Sequence, residues 1–181
     1  MAKNISVSLW DHMNKCGATI LAALQLAVSL PIEAGHVSTN RASSHRLPLT
    51  GFGSPGSRAF SYTSGFDVAF DQVIRDQRQW KLLWSTANEH TIPSSELPGV
   101  SFDSEYVLVS AMGTQPSGGY SVSIVSAEQH TDYIEILVRD SVPGNGCTVI
   151  TMITHPADFA RLPKTLLPIR FRHERFVRSC S

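Results

Sequence analysis

Apolar and polar residues alternate with the period of a β-strand at several places in the second half of the chain. Such segments run from residue 66 to 74, from 120 to 124 and from 134 to 138. Each has one apolar and one polar face, as expected for a strand that is buried on one side. Two further segments, 106–112 and 148–154, are almost continuously apolar or β-branched. We predict that both are strands, and that the first is covered on both faces.

A helical period interrupts this pattern once. Trp80, Leu83, Trp84 and Ala87 follow the i, i+3, i+4, i+7 spacing of a single apolar stripe. Asp76 lies before the stripe, and Gln79 lies three residues after Asp76. This spacing resembles a capping box at a helix N-terminus. We therefore predict one helix that starts after Asp76, ends near Asn88 and packs its stripe against a sheet.

The predicted strands are joined by short connections, such as residues 128–132 and the Gly-rich segment 142–146. Short connections favour antiparallel neighbours, because parallel strands need a crossover of a dozen or more residues. The expected fold class is therefore α+β, with one helix packed on a mainly antiparallel sheet of about five strands. This domain is predicted to span residues 66–165.

The N-terminal third of the chain has a different character. Residues 17–30 carry no charge and, as a helix, span roughly 21 Å at about 1.5 Å per residue, too short to cross a bilayer. We interpret residues 1–34 as a signal peptide that directs export to the periplasm or the medium; a short buried helix is the alternative. Residues 35–65 are rich in Ser, Gly and Pro, and we expect them to form a flexible linker.

The charges of the chain balance but are segregated. Fifteen Lys and Arg residues offset fifteen Asp and Glu residues, so no overall basic character points to nucleic acid. Residues 66–158 hold twelve acidic and four basic side chains, whereas residues 160–181 hold six basic and one acidic. We expect residues 166–181 to form an Arg-rich C-terminal tail. This tail could dock on the acidic domain, contact an anionic membrane or partner, or form an edge strand whose charges prevent further pairing.

Cys147 and Cys180 are the cysteines that remain after removal of the predicted signal peptide. In an exported protein, two cysteines are compatible with one disulfide. Free thiols are the alternative, because the sequence alone does not show that the two residues meet.

Catalytic and metal-binding patterns in the sequence are weak. The six histidines after residue 34 are dispersed, and none belongs to an H-E-x-x-H or comparable zinc pattern. Ser117 lies in a Pro-Ser-Gly-Gly context rather than in a nucleophile elbow. We therefore expect neither enzymatic activity nor a cofactor.

The loop from Gly113 to Tyr120, with the sequence GTQPSGGY, is the most distinctive local feature. Its Pro presets φ, and its paired glycines permit a sharp turn or a close approach of another backbone. One interpretation is a structural hairpin connection. The other is an exposed recognition loop, whose candidate partner-binding residues are Gln115, Pro116, Ser117, Gly118, Gly119 and Tyr120.

Three segments together resemble the C-terminal domain of the PrcB-like family, the protease-complex stability subunits of exported bacterial proteins. They are VIRDQRQWKLLW (73–84), FDSEYVLVSAMGTQPSGGYSVSI (102–124) and THPADFARLPK (154–164), and they occur in the family's order. The G-x-x-P-[ST]-G-G-Y element is the most specific of these. The resemblance implies a non-catalytic accessory domain that assembles with a protein partner, in this family an exported protease.

The same loop is also similar to the N-P-T-T-G-Y loop of chagasin-type cysteine protease inhibitors. The Pro, the hydroxyl residue and the Gly-Tyr pair agree in kind. The Arg-Pro-Trp segment of that family is missing, and its Gly-rich loop is only echoed by residues 144–146. Two alternatives to the accessory function therefore remain, namely a secreted protease inhibitor and a structural envelope-associated domain.

Overall fold

The computed structural model describes residues 44–52, 63–90 and 95–180. One compact unit spans Asn40–Ser181. The predicted signal peptide at residues 1–34 lies outside the described residues. The elements are β1 (His45–Leu47), β2 (Thr50–Gly51), β3 (Ala69–Ile74), α1 (Gln77–Ala87), β4 (Glu105–Met112), β5 (Ser121–Gln129), β6 (Ile134–Pro143), β7 (Ala157–Pro163) and β8 (Ile169–Arg178).

The strands form two sheets of four, so the predicted single sheet of about five strands is wrong. The central sheet has the order β2-β7-β4-β3, and the outer sheet has the order β1-β5-β6-β8. Among these eight strands of the described residues, β6 and β8 pair in parallel and the other pairs are antiparallel. The parallel pair is possible because the chain leaves the outer sheet after β6, forms β7 in the central sheet and then returns. The broader α+β assignment remains appropriate, because the described residues are mostly β structure with one short helix.

The helix forms as its local sequence predicts. Asp76 is the N-cap, and its carboxylate accepts a hydrogen bond of 2.9 Å from the backbone N–H of Gln79. Asn88 is the C-cap. Trp80, Trp84 and Ala87 are buried on one side of α1, so the apolar stripe is a core face, as predicted.

The central sheet is covered on both faces, which explains the continuously apolar sequence of β4. On one face, Val107 and Val109 of β4 pack with the tryptophans of α1. On the other face, Leu108 packs with apolar residues of β5 and β6. Consecutive residues of a strand point to opposite faces, so both parities of β4 must be apolar when both faces are buried. The prediction for residues 106–112 is confirmed.

A buried carboxylate connects the two sheets. Asp158 of β7 is fully buried, and its Oδ2 accepts a hydrogen bond of 2.7 Å from the backbone N–H of Ile124 in β5. The β5–β6 register shifts between Ile124 and Ser126, which marks a β-bulge. The Asp158 side chain thus supplies an acceptor at the irregular point of the outer sheet, where the regular ladder is interrupted.

Three further predictions about elements need correction. β3 begins at Ala69, and Val68 is 74% exposed rather than part of a buried strand face. Residues 148–154 lie outside the assigned strands, because the place beside β4 is taken by β7. Parts of the predicted linker form β1 and β2, because their backbones pair with the domain.

Candidate protein-interaction surface

The Gly113–Tyr120 loop leaves β4 through a backbone conformation that requires glycine. Gly113 has φ of +68°, and a Cβ at this position would lie 2.7 Å from the backbone N of Ala69. The next residue, Thr114, donates its backbone N–H to the carbonyl oxygen of Asp67 at 3.1 Å. The start of the loop is therefore fixed against the chain just before β3.

The rest of the loop is tied to residues 148–154, which we call the strap. Gln115 and Thr154 exchange backbone hydrogen bonds of 2.7 and 3.0 Å. Gly118 donates its N–H to the carbonyl oxygen of Ile150 at 2.9 Å, and the Thr154 hydroxyl donates to the Ser117 carbonyl at 2.9 Å. Loop and strap therefore form one hydrogen-bonded surface, although the strap is not a strand.

The six candidate residues of the loop lie together, but they are not equally accessible. Pro116 is exposed, and Gly118 is buried. Gln115, Ser117, Gly119 and Tyr120 are half-buried. The Gln115 side chain donates to the Met112 carbonyl at 2.9 Å, and the Ser117 hydroxyl donates to the Gly118 carbonyl at 3.1 Å. Part of the motif therefore holds the loop in shape, while Pro116 stands at its surface.

The strap adds apolar side chains that the sequence analysis did not assign to a site. Ile150 is 62% exposed, Met152 45% and Ile153 60%. A β-branched run favours a strand, so the sequence predicted a strand here and not an exposed apolar surface. A groove of about 340 Å³ lies between loop and strap, and its lining includes Tyr120, Ile150, Met152 and Arg178.

A disulfide joins Cys147 to Cys180, with a Cα–Cα distance of 5.1 Å. This is the pairing that the sequence allowed. Cys147 follows the turn at residues 144–146 and precedes the strap, whereas Cys180 follows the last residue of β8. The bond therefore anchors the C-terminal end of the chain beside the strap.

The basic strand β8 lies against acidic side chains of the domain. Arg172 pairs with Glu135 at 2.9 Å, and Glu174 pairs with Arg139 at 2.6 Å. His173 lies between two carboxylates, with Nδ1 2.8 Å from Asp140 and Nε2 2.9 Å from Asp71. β8 is also at the edge of the outer sheet. The tail thus docks on the acidic domain as an edge strand, two of the predicted alternatives at once.

His173 also links the two sheets, because Asp140 belongs to β6 and Asp71 to β3. Burial lowers the pKa of His173, but the hydrogen bonds and negative charges of Asp71 and Asp140 outweigh it. The net effect is a pKa raised above the ordinary value of 6.5. The protonated imidazolium is the form that donates to both carboxylates.

Within residues 44–52, 63–90 and 95–180, no three His, Cys, Asp or Glu side chains are grouped as metal ligands. The His155 ring pairs with Asp67 at 3.2 Å. In the same ranges, no helix is long and apolar enough to cross a membrane.

Comparison with known proteins identifies the segment that carries most of this surface. No curated protein and no solved structure matches the chain significantly. A family model described as PrcB C-terminal matches residues 106–163, from β4 through the loop and strap to β7. The match supports the resemblance noted in the sequence, and residues 106–163 of this chain are similar to the PrcB C-terminal family.

Proposed function

We propose that this chain is an exported, non-catalytic accessory protein that binds a subunit of a protease complex through the loop and the strap. The family match supports the protease association. One structural observation carries the choice of surface: three large apolar side chains of the strap, Ile150, Met152 and Ile153, are exposed beside the family's loop. Exposed apolar surface is typical of an interaction site where it is contiguous, and Ile150 and Met152 line one groove.

The partner is a protein that presents an extended apolar segment to the groove. The groove, with a volume of about 340 Å³, has room for a few side chains of such a segment. Nucleic acid is a poor candidate, because the arginine and glutamate side chains that pair on β6 and β8 neutralise one another.

The geometry favours docking over chagasin-like inhibition. An inhibitory loop must project into the cleft of a protease, whereas this loop is bonded to the strap at Gln115 and Gly118. The turn at residues 144–146 is likewise occupied, since Gly144 donates its N–H to the Arg178 carbonyl at 3.0 Å. Titration of papain-like proteases with the protein should leave their activity unchanged at micromolar concentration.

Export is part of the proposal, and the disulfide supports it. Disulfides persist in oxidising compartments and are rare in the bacterial cytosol. Fractionation of the producing cells, with alkylation of free thiols at lysis, should find the oxidised protein in the periplasmic or secreted fraction. A reduced cytosolic pool as the main species would contradict export.

Site-specific photocrosslinking tests the docking surface. A benzoylphenylalanine replaces Ile150 or Ile153 of the strap, and the control places it at Leu82 of α1, which is 66% exposed in the helix layer. We expect the strap positions, but not position 82, to form an adduct in the producing cells with a subunit of a protease complex. Equal adducts at position 82, or adducts only with a second copy of the chain or with lipid, would refute the proposal.

A further inference from the structure

The groove between loop and strap combines apolar walls with one cation. Ile150 and Met152 supply large apolar side chains, and Gly118 and Gly119 leave the opposite wall without side chains. Arg178 is the charged residue of the lining, and no acidic residue described in the structure lines it. An apolar groove whose lining includes an arginine and no described carboxylate is complementary to a ligand that carries both an aliphatic group and an anion.

Arg178 is held at the groove by contacts of its own backbone. Its carbonyl oxygen accepts the N–H of Gly144 at 3.0 Å, and the disulfide fixes the chain two residues further on. Arg178 is also the last residue of β8, so the β6–β8 pairing fixes the position of its backbone. The position of this arginine beside the strap is thus set by three constraints.

The arginines of β8 differ in what they contact. Arg172 pairs with Glu135, and Arg170 lies over the ring of Tyr133 at 4.4 Å. In the part of the chain that the structure describes, Arg178 has neither a carboxylate nor an aromatic ring as partner for its guanidinium. This side chain therefore remains available to an external anion.

We infer that the groove selects an acidic-aliphatic peptide segment, in which Ile150 and Met152 contact an aliphatic side chain and Arg178 binds the carboxylate of a neighbouring Asp or Glu. A guanidinium can bind a carboxylate through two parallel N–H···O bonds, a geometry that a point charge does not provide. The inference rests on the proposed function and adds the chemistry by which the partner is recognised.

The test is selection from a random heptapeptide display library on the full chain in its disulfide-bonded form. Four proteins are compared: the wild type, Arg178→Gln, the control Arg175→Gln, and a double variant with Ile150→Ser and Met152→Ser. Arg175 is exposed on the same strand but does not line the groove. Selected peptides and their Glu-to-Gln versions are then measured by fluorescence anisotropy.

We expect the wild type and Arg175→Gln to enrich peptides that pair an acidic with an aliphatic residue, and to bind them about fivefold more tightly than their amide versions. Arg178→Gln should keep the aliphatic preference and lose the acidic one. Retained acidic preference in Arg178→Gln, or selection of a free C-terminal carboxylate only, would overturn the inference while leaving the docking surface intact. Unchanged selection by the strap double variant, or no enrichment by any protein, would overturn both.

Discussion

Removal of the Cys147–Cys180 disulfide should destabilise the domain by an amount that its spacing sets. The two residues are 33 positions apart. Loop-closure entropy for a ring of this size corresponds to about 3.7 kcal/mol at 25 °C. The closed ring contains the strap, β7 and β8, so without the bond the unfolded chain gains freedom over all three segments.

Urea unfolding of the Cys147→Ser/Cys180→Ser variant measures this effect. With an m-value of about 2 kcal/mol per molar urea, the midpoint should fall by up to about 2 M relative to the oxidised protein. Cys16 is replaced by Ser in every sample, so that only the pair contributes thiols. Reductant should lower the midpoint of the Cys-containing protein to that of the double variant, and should leave the double variant unchanged.

Two results would refute this reasoning. Midpoints that agree within about 0.2 M would show that the crosslink does not restrict the unfolded chain, or that β8 is too weakly held for the ring to matter. Two titratable thiols in the unfolded, non-reduced protein would show that the bond does not form. If the midpoints agree, hydrogen exchange of the β8 amides distinguishes an unrestricted unfolded chain from a weakly held β8. Only a weakly held β8 exchanges rapidly in both proteins.

Three further predictions concern pH, the core and the loop. Protonated His173 links the two sheets, and its raised pKa means that this contribution is complete below about pH 6.5 and is lost as pH rises through the folded-state pKa. The urea midpoint of the wild type relative to His173→Gln should therefore fall with rising pH, and an NMR titration that gives His173 a pKa at or below 6.5 would contradict it. Trp80 is fully buried, with ring centroids 5.1 Å from both Phe52 and Trp84, so Trp80→Ala should cost about 3–5 kcal/mol in chemical denaturation; a loss below about 1 kcal/mol would contradict this packing. Gly113→Ala should lower the melting temperature more than Gly118→Ala. A Cβ at position 113 meets backbone atoms at positive φ, whereas a Cβ at position 118 meets the movable, exposed side chain of Ile150. The reverse order in thermal melts would show that the loop is held differently.

The sequence predicted those elements that form because of local residues or a periodic apolar pattern. The capped helix follows from Asp76 and a single apolar stripe, and β4 follows from a run in which both faces are apolar. β1 and β2 have three and two residues in a polar segment. β1 and β2 are strands because they pair with β5 and β7, and no pattern in their own sequences predicts this pairing. The parallel β8 likewise depends on a return from the central sheet that local patterns do not encode.

The candidate site was only half predictable for the same reason. The loop residues stand out because glycine and proline restrict the backbone directly. The strap does not stand out, since β-branched residues are equally common in a buried strand. Its exposure follows from tertiary structure: β7 takes the neighbouring position on β4, and the strap is left to bond with the loop instead.

The strap is held in this exposed position from both sides. The disulfide at Cys147 fixes the chain where it enters the strap, and the paired backbones of Thr154 and Gln115 fix it where it leaves. Apolar side chains so tethered cannot collapse onto the core, since both faces of the central sheet are already filled by α1 and the outer sheet. An exposed apolar segment held this firmly agrees with the proposed ligand that covers it, because Ile150 packs in part against Gly118 and yet most of its surface, like that of Ile153, is open to solvent.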